Sequence, residues 1–106
     1  MEKNFSVKLT FKPLAKKEWD SLNSSIKDKF KKILRKRAES YELLTAPSNR
    51  LSLQYNCYKI KLKKDGYRLA YTVKSDDVGN VQVTVSVIAV DRRDEIYNEL
   101  NKRLKD

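Results

Sequence analysis

The run YNCYKIKLKKDGYRLAYTVK, residues 55–74, decides the fold. Tyr58, Ile60 and Leu62 alternate with Cys57, Lys59, Lys61 and Lys63, the two-residue period of a strand with one face on a core and one toward solvent. Lys64-Asp65-Gly66 reads as a tight turn, since Asp-Gly readily takes the positive φ a hairpin needs. The returning run puts Tyr67, Leu69, Tyr71 and Val73 on one face and Arg68, Ala70, Thr72 and Lys74 on the other. Pairing across the turn brings Arg68 to the face that carries Lys59 and Lys61.

On the N-terminal side, residues 4–11 alternate as a strand with Phe5, Val7, Leu9 and Phe11 on one face. Pro13 suits a first helical turn, and Leu14, Ala15, Trp19 and Leu22 follow at helical spacing, with Trp19 expected in the core. Ser25 and Asp28 have the form of a capping box and are expected to start a longer helix to about Tyr41, with Ile26, Phe30, Ile33, Leu34 and Tyr41 as its buried stripe. Residues 46–53 read as a loop around Pro47.

On the C-terminal side, residues 76–80 form a turn and VQVTVSVIAV, residues 81–90, a central or covered strand. Val81, Val83, Val85, Val87 and Ala89 are expected on one face, while Gln82, Thr84 and Ser86 make a polar face that turns apolar at Ile88 and Val90. A final helix from about Asp94 carries Ile96, Tyr97, Leu100 and Leu104. The expected fold is α+β in the order βααβββα, a small, mainly antiparallel four-stranded sheet on an N-terminal helical hairpin, its other face partly open.

A chain of 106 residues is expected to form a single domain over 1–106. No stretch is apolar enough to cross a bilayer and the opening lacks the apolar core of a secretory signal, so the expected setting is cytoplasmic, with no membrane partner. One cysteine and no histidine leave no soft-metal site and no imidazole base, and neither a metal nor another cofactor is expected. The net charge is +10 and gathers in patches. Residues 27–37 hold seven basic side chains, among them Lys31, Lys32 and Arg35, against Asp28 alone. Residues 59–68 hold five against Asp65. Such fields attract polyanions.

A sheet face bearing Lys59, Lys61 and Arg68, with Arg92 or Arg93 arriving after the last strand, gathers cations without paired carboxylates. Crowding of like charges pulls a lysine toward the general-base range, and arginine grips phosphate with two parallel donors. Those roles suit attack of a ribose 2′-hydroxyl on the adjacent phosphorus, a reaction that needs no external water and no metal. From the residues alone, a nuclease, a noncatalytic nucleic-acid-binding surface and a plain solubilising surface all remain open.

The runs Leu14-Ala15-Lys16-Lys17-Glu18-Trp19-Asp20-Ser21-Leu22, Cys57-Tyr58-Lys59-Ile60-Lys61-Leu62, Gly66-Tyr67-Arg68-Leu69-Ala70-Tyr71 and Val87-Ile88-Ala89-Val90, followed by Arg92-Arg93 and Tyr97, resemble the RelE branch of the RelE/ParE toxin superfamily. The resemblance spans nearly the whole chain. It implies a toxin of a type II toxin–antitoxin pair, an endoribonuclease that enters the 30S A site of the ribosome and cuts the messenger RNA there, restrained by a cognate antitoxin. An acidic toxin-binding segment in that antitoxin would suit a basic toxin. Residue by residue, it implies Lys61 as proton acceptor or charge stabiliser beside Lys59, and Arg68 as the phosphate grip. It further implies Arg93 at the leaving group and Tyr97 stacked on the message. From the charge patches, Arg92, Lys63, Lys31, Lys32 and Arg35 are expected to hold RNA. Asp91 stands where the family usually has glycine, and the link from Arg93 to Tyr97 is about two residues shorter than usual. A ParE-like action on DNA gyrase, or a catalytically weakened RNA-binding protein held by an antitoxin, are the alternatives.

Overall fold

The computed structural model describes residues 6–52, 57–75, 80–90 and 98–102. The elements run β1 (Ser6–Phe11), α1 (Pro13–Asp20), α2 (Ser24–Arg37), α3 (Tyr41–Leu44), a 3-10 turn (Pro47–Asn49), β2 (Arg50–Ser52), β3 (Cys57–Leu62), β4 (Tyr67–Ser75) and β5 (Asn80–Val90). Residues 98–102 are helical and are called α4. The strands form one five-stranded sheet in the order β1-β5-β4-β3-β2. It is mixed, because β1 runs parallel to β5 while the other neighbours are antiparallel.

The α+β architecture with the N-terminal helices α1 and α2 packed on one sheet face agrees with expectation; the strand count does not. The stretch read as a loop at 46–53 holds the 3-10 turn and β2, a short edge strand. β2 holds three described residues, two of them in register with β3, too few for side-chain alternation to stand out against Pro47 and Asn49. The hairpin is where Asp65-Gly66 put it: Leu62 and Tyr67 pair, the Asp65 and Gly66 N–H groups both donate to the Leu62 carbonyl, and Gly66 takes φ 74°.

Pro13 opens α1 as expected. The start of α2 lies elsewhere: Asn23, not Ser25, is the cap, its side chain accepting from the Ile26 N–H at 3.0 Å while the Ser25 hydroxyl donates to the same oxygen at 2.8 Å. The helix ends at Arg37 rather than near Tyr41. Ser40 then caps the separate α3 by accepting from the Leu43 N–H at 3.1 Å, which leaves Tyr41 exposed instead of in the buried stripe.

The main core lies between the helices and one sheet face. Ala15, Trp19, Leu22, Ile26, Phe30 and Leu34 meet Tyr58, Ile60, Leu62, Leu69, Tyr71, Val73, Val81, Val83, Val85 and Ile88. Trp19 sits between Phe11 and Phe30, ring centroids 5.3 and 6.2 Å away, so it is core as expected. Leu9 and Leu14, read into the same apolar patterns as Val7, Phe11, Ala15 and Trp19, are 42% and 52% exposed. Phe5, the turn at 76–79 and Ile96, Tyr97 and Leu104 of the final helix lie outside the described residues.

The alternation read along β5 breaks at one point. Ala70 pairs with Val87 but Tyr71 with Val85, so Ser86 is an extra residue on β5, a β-bulge. The bulge inverts which face each later side chain takes. Val81, Val83 and Val85 join the main core as expected, but Val87 does not, and Ile88 takes the core position instead. Val87 lies on the opposite face with Cys57 and Ala70, beneath Leu100 of α4.

Candidate functional site

With Tyr58, Ile60 and Leu62 buried against the helices, Lys59 and Lys61 stand on the other face of β3, each half-buried. Register places Lys61 directly opposite Arg68 and Lys59 opposite Ala70. The cationic side chains that the hairpin reading put on one face are therefore brought together. The Lys59 carbonyl points out of the β3–β4 ladder, since it accepts from Arg37, so Lys59 and Lys61 occupy the closer, non-hydrogen-bonded kind of cross-strand pair. Like charges set directly opposite each other cost stability. The register thus concentrates positive charge at Lys61 and Arg68, and such a field attracts polyanions.

The covered and open parts of this face are unequal. Cys57, Ala70 and Val87 are sealed below Leu100 and flanked by Leu51. Burial pushes the Cys57 thiol up to about 11, against the pull of Arg50 and Lys12, so it is an inert packing group rather than a nucleophile. Toward the hairpin the same face carries the half-buried Lys61 and Arg68, and β5 leads there, its last residue, Val90, paired with Tyr67. Asp91, Arg92, Arg93 and Tyr97 follow and lie outside the described residues. Lys63 is exposed on the hairpin turn. Lys31, Lys32 and Arg35 are exposed on α2, in the layer on the far side of the sheet, so they do not share a surface with Lys61 and Arg68.

Behind the cationic face lies a network that pattern reading missed. The Arg37 Nη1 donates to the Lys59 carbonyl at 2.8 Å and to the Tyr71 hydroxyl at 3.0 Å, with its guanidinium 5.9 Å from the centre of the Tyr71 ring. The Tyr71 hydroxyl in turn donates to the Leu44 carbonyl at 2.8 Å. From the same helical layer, at the β5 edge, the Glu18 carboxylate accepts from the Ile88 N–H at 3.2 Å. The one signal in the chain was Tyr71 itself, a hydroxyl in the middle of an apolar strand face that requires a buried partner. Arg37 was hidden in a basic run that reads as solvated surface.

The chain matches the family described as the ParE toxin of type II toxin–antitoxin systems over residues 9–97. It is 39% identical to the mRNA interferase toxin RelE of Escherichia coli K12 over 98 residues, covering 91% of this chain and 95% of that protein. Among solved structures, the isolated E. coli RelE toxin superimposes with a TM-score of 0.67 at 38% identity, covering 91% of this chain and 96% of the other. The toxin in the intact E. coli RelBE toxin–antitoxin complex gives 0.67 at 36% identity, covering 80% and 96%. Likeness of this extent, in sequence and in fold together, places the chain in the RelE branch of the RelE/ParE toxin superfamily.

Proposed function

We propose that this protein is the toxin of a type II toxin–antitoxin pair and an mRNA interferase, a ribosome-dependent endoribonuclease that cuts the message in the A site and so stops translation. The observation that carries the reading is the cross-strand placement of Lys61 against Arg68, with Lys59 beside them on the same sheet face. The relatives bearing the mRNA interferase name support it.

In this reading Lys61, with Lys59 beside it, takes the proton from the ribose 2′-hydroxyl or neutralises the charge that develops there. The O2′–P bond forms as the P–O5′ bond breaks, leaving a 2′,3′-cyclic phosphate and a 5′-hydroxyl. Arg68 holds the non-bridging oxygens through the transition state. Arg93 supplies charge or a proton at the departing 5′-oxygen, and Tyr97 stacks on a base to set the nucleotide's orientation. Lys63 and Arg92 extend phosphate contact near the site, while Lys31, Lys32 and Arg35 meet RNA from the helical layer. A site without imidazole depends on its partner to hold the 2′-hydroxyl in line, and alignment of that kind is worth several orders of magnitude in rate. Free RNA is therefore bound but scarcely cut.

The cognate antitoxin is the restraining partner, with an acidic toxin-binding segment to match a chain of net charge +10. The family description names ParE, which keeps action on DNA gyrase as the second reading. Incubating one message with the protein, with and without ribosomes translating it, and mapping the ends, separates the possibilities. Codon-phased cuts with 5′-hydroxyl ends that require ribosomes are expected. Equal cleavage without ribosomes, or 5′-phosphate ends, overturns the mechanism, and gyrase-linked DNA breaks on induction establish the other reading.

A further inference from the structure

The two outer strands stop short of the site. β2 pairs with β3 only as far as Tyr58, and β1 ends its pairing with β5 at Val85, where the Lys12 N–H donates the last ladder bond at 2.9 Å before Pro13 turns the chain into α1. Beyond those points the sheet is a three-stranded projection made of residues 59–62, 67–70 and 86–90. Lys61 and Arg68 lie on it. Among the described residues no strand pairs with either edge of this projection, and a three-stranded part opens locally more easily than the five-stranded part.

Each edge is fastened, just past its last described pairing with the outer strand, by a charged side chain from the helical layer. On the β3 edge the Arg37 guanidinium donates to the Lys59 carbonyl at 2.8 Å. On the β5 edge, two residues past the bulge at Ser86, the Glu18 carboxylate accepts from the Ile88 N–H at 3.2 Å. Both are charge-assisted bonds to backbone, stronger than neutral ones, and both come from a helix that is itself packed on the core. Arg37 is fixed in turn by the fully buried Tyr71.

We propose that Glu18 and Arg37 are positioning residues of the cleavage site, which hold the three-stranded projection in register so that Lys61 stays opposite Arg68. The inference rests on reading Lys59, Lys61 and Arg68 as that site. Neither residue needs to touch RNA for this role. Loosening one edge by an ångström misaligns donors that must act together, an effect on the order of 10²-fold in rate at most sites of this kind. Ribosome affinity depends on the summed basic surface and is largely unaffected.

The experiment measures single-turnover cleavage at saturating mRNA-programmed ribosomes, ribosome affinity, and amide hydrogen exchange for Glu18→Met, Glu18→Gln, Arg37→Met and Arg37→Lys, with Lys61→Ala as control. Both methionine variants are expected to lose about tenfold or more in the saturated rate, with affinity within about threefold of wild type. Exchange should quicken at Ile60, whose N–H lies in the β3–β4 ladder, and at Ile88, and hold at Val73 and Val83. Glu18→Gln retains the acceptor oxygen and should restore most of the rate, a rescue that loss of charge alone does not explain. A saturated rate within about twofold of wild type for both methionine variants, alongside a large loss in Lys61→Ala, overturns the positioning role and leaves the site intact. A wild-type rate in Lys61→Ala overturns the site reading and the positioning role together. Should Arg37→Met fail to fold, the contrast between Glu18→Met and Glu18→Gln decides.

Discussion

The Tyr71 hydroxyl, in the middle of the sheet, donates to the Leu44 carbonyl at 2.8 Å and accepts from Arg37 at 3.0 Å, so one buried oxygen joins β4 to α3 and to the end of α2. Burial raises the Tyr71 pKa and the Arg37 bond opposes that rise. Tyr71→Phe keeps the ring against Tyr58 but strips the Leu44 carbonyl of this donor. A buried group left so costs about 1–3 kcal/mol, which denaturant unfolding should read as a lower midpoint at constant slope.

The bulge at Ser86 makes a sharper claim, because unbroken alternation and the observed register assign Val87 and Ile88 to opposite faces. Ile88 packs in the main core, and Val87 lies in the small cluster under Leu100. Ile88→Ala should therefore cost about 2–4 kcal/mol. Val87→Ala removes fewer atoms from a smaller cluster and should cost roughly half as much. The opposite order in thermal or denaturant unfolding restores the unbroken strand.

How far the chain could be read without coordinates follows from where each signal lives. The β3–β4 hairpin was legible because its alternation is clean and Asp65-Gly66 marks the turn, and that alone placed Lys59, Lys61 and Arg68 on one face. The inversion in β5 was written in the sequence as a polar face turning apolar at Ile88, yet alternation read in a run of β-branched residues gives no reason to break step. β2 was illegible since its pairing depends on a partner already in place, not on its own three residues. Glu18 and Arg37 act on backbone groups more than 20 residues away, and no local pattern announces a side chain that caps a distant strand edge.

The pH dependence of stability follows from Cys57. Its thiol titrates near the ordinary value of 9.0 in the unfolded chain and at about 11 when folded, because burial disfavours the thiolate. The folded state keeps its proton while the unfolded state loses one, so the contribution is complete below about pH 9 and is lost as pH rises toward 11. The raised Tyr71 pKa adds loss of the same sign above its ordinary value of 10.0. Unfolding free energies collected from pH 8 to about 11 should fall less steeply for Cys57→Ala than for wild type; identical slopes would show that the thiol is not held protonated.

The proposed mechanism gives Arg92 and Arg93 different work, Arg93 in chemistry and Arg92 in phosphate contact. With Arg93 at the leaving group, Arg93→Ala lowers the single-turnover rate by about 10²-fold, the scale of removing one transition-state donor. Arg92→Ala acts on phosphate contact, weakening ribosome binding and flattening its salt dependence by about one charge. Rate and affinity measured over a range of salt for both variants distinguish the roles, and a larger loss of rate for Arg92→Ala exchanges them.

The pairing of Lys61 with Arg68 sets stability against activity. Because two like charges face each other across the ladder, Arg68→Met relieves a repulsion of about 0.2–1 kcal/mol while keeping an apolar stem on a half-buried position. Its melting temperature should hold or rise by a degree or more, most clearly at low salt, where screening does not already blunt the repulsion. Cleavage on ribosomes should fall by about 10²-fold in the same variant, since the phosphate loses its two-donor grip in the transition state. A residue kept for folding loses stability when replaced, and one kept for binding polyanions loses affinity without a matching loss of saturated rate. Only a catalytic arginine combines an unharmed fold with a collapsed rate at saturation, and calorimetry with single-turnover kinetics on one preparation of Arg68→Met reads both.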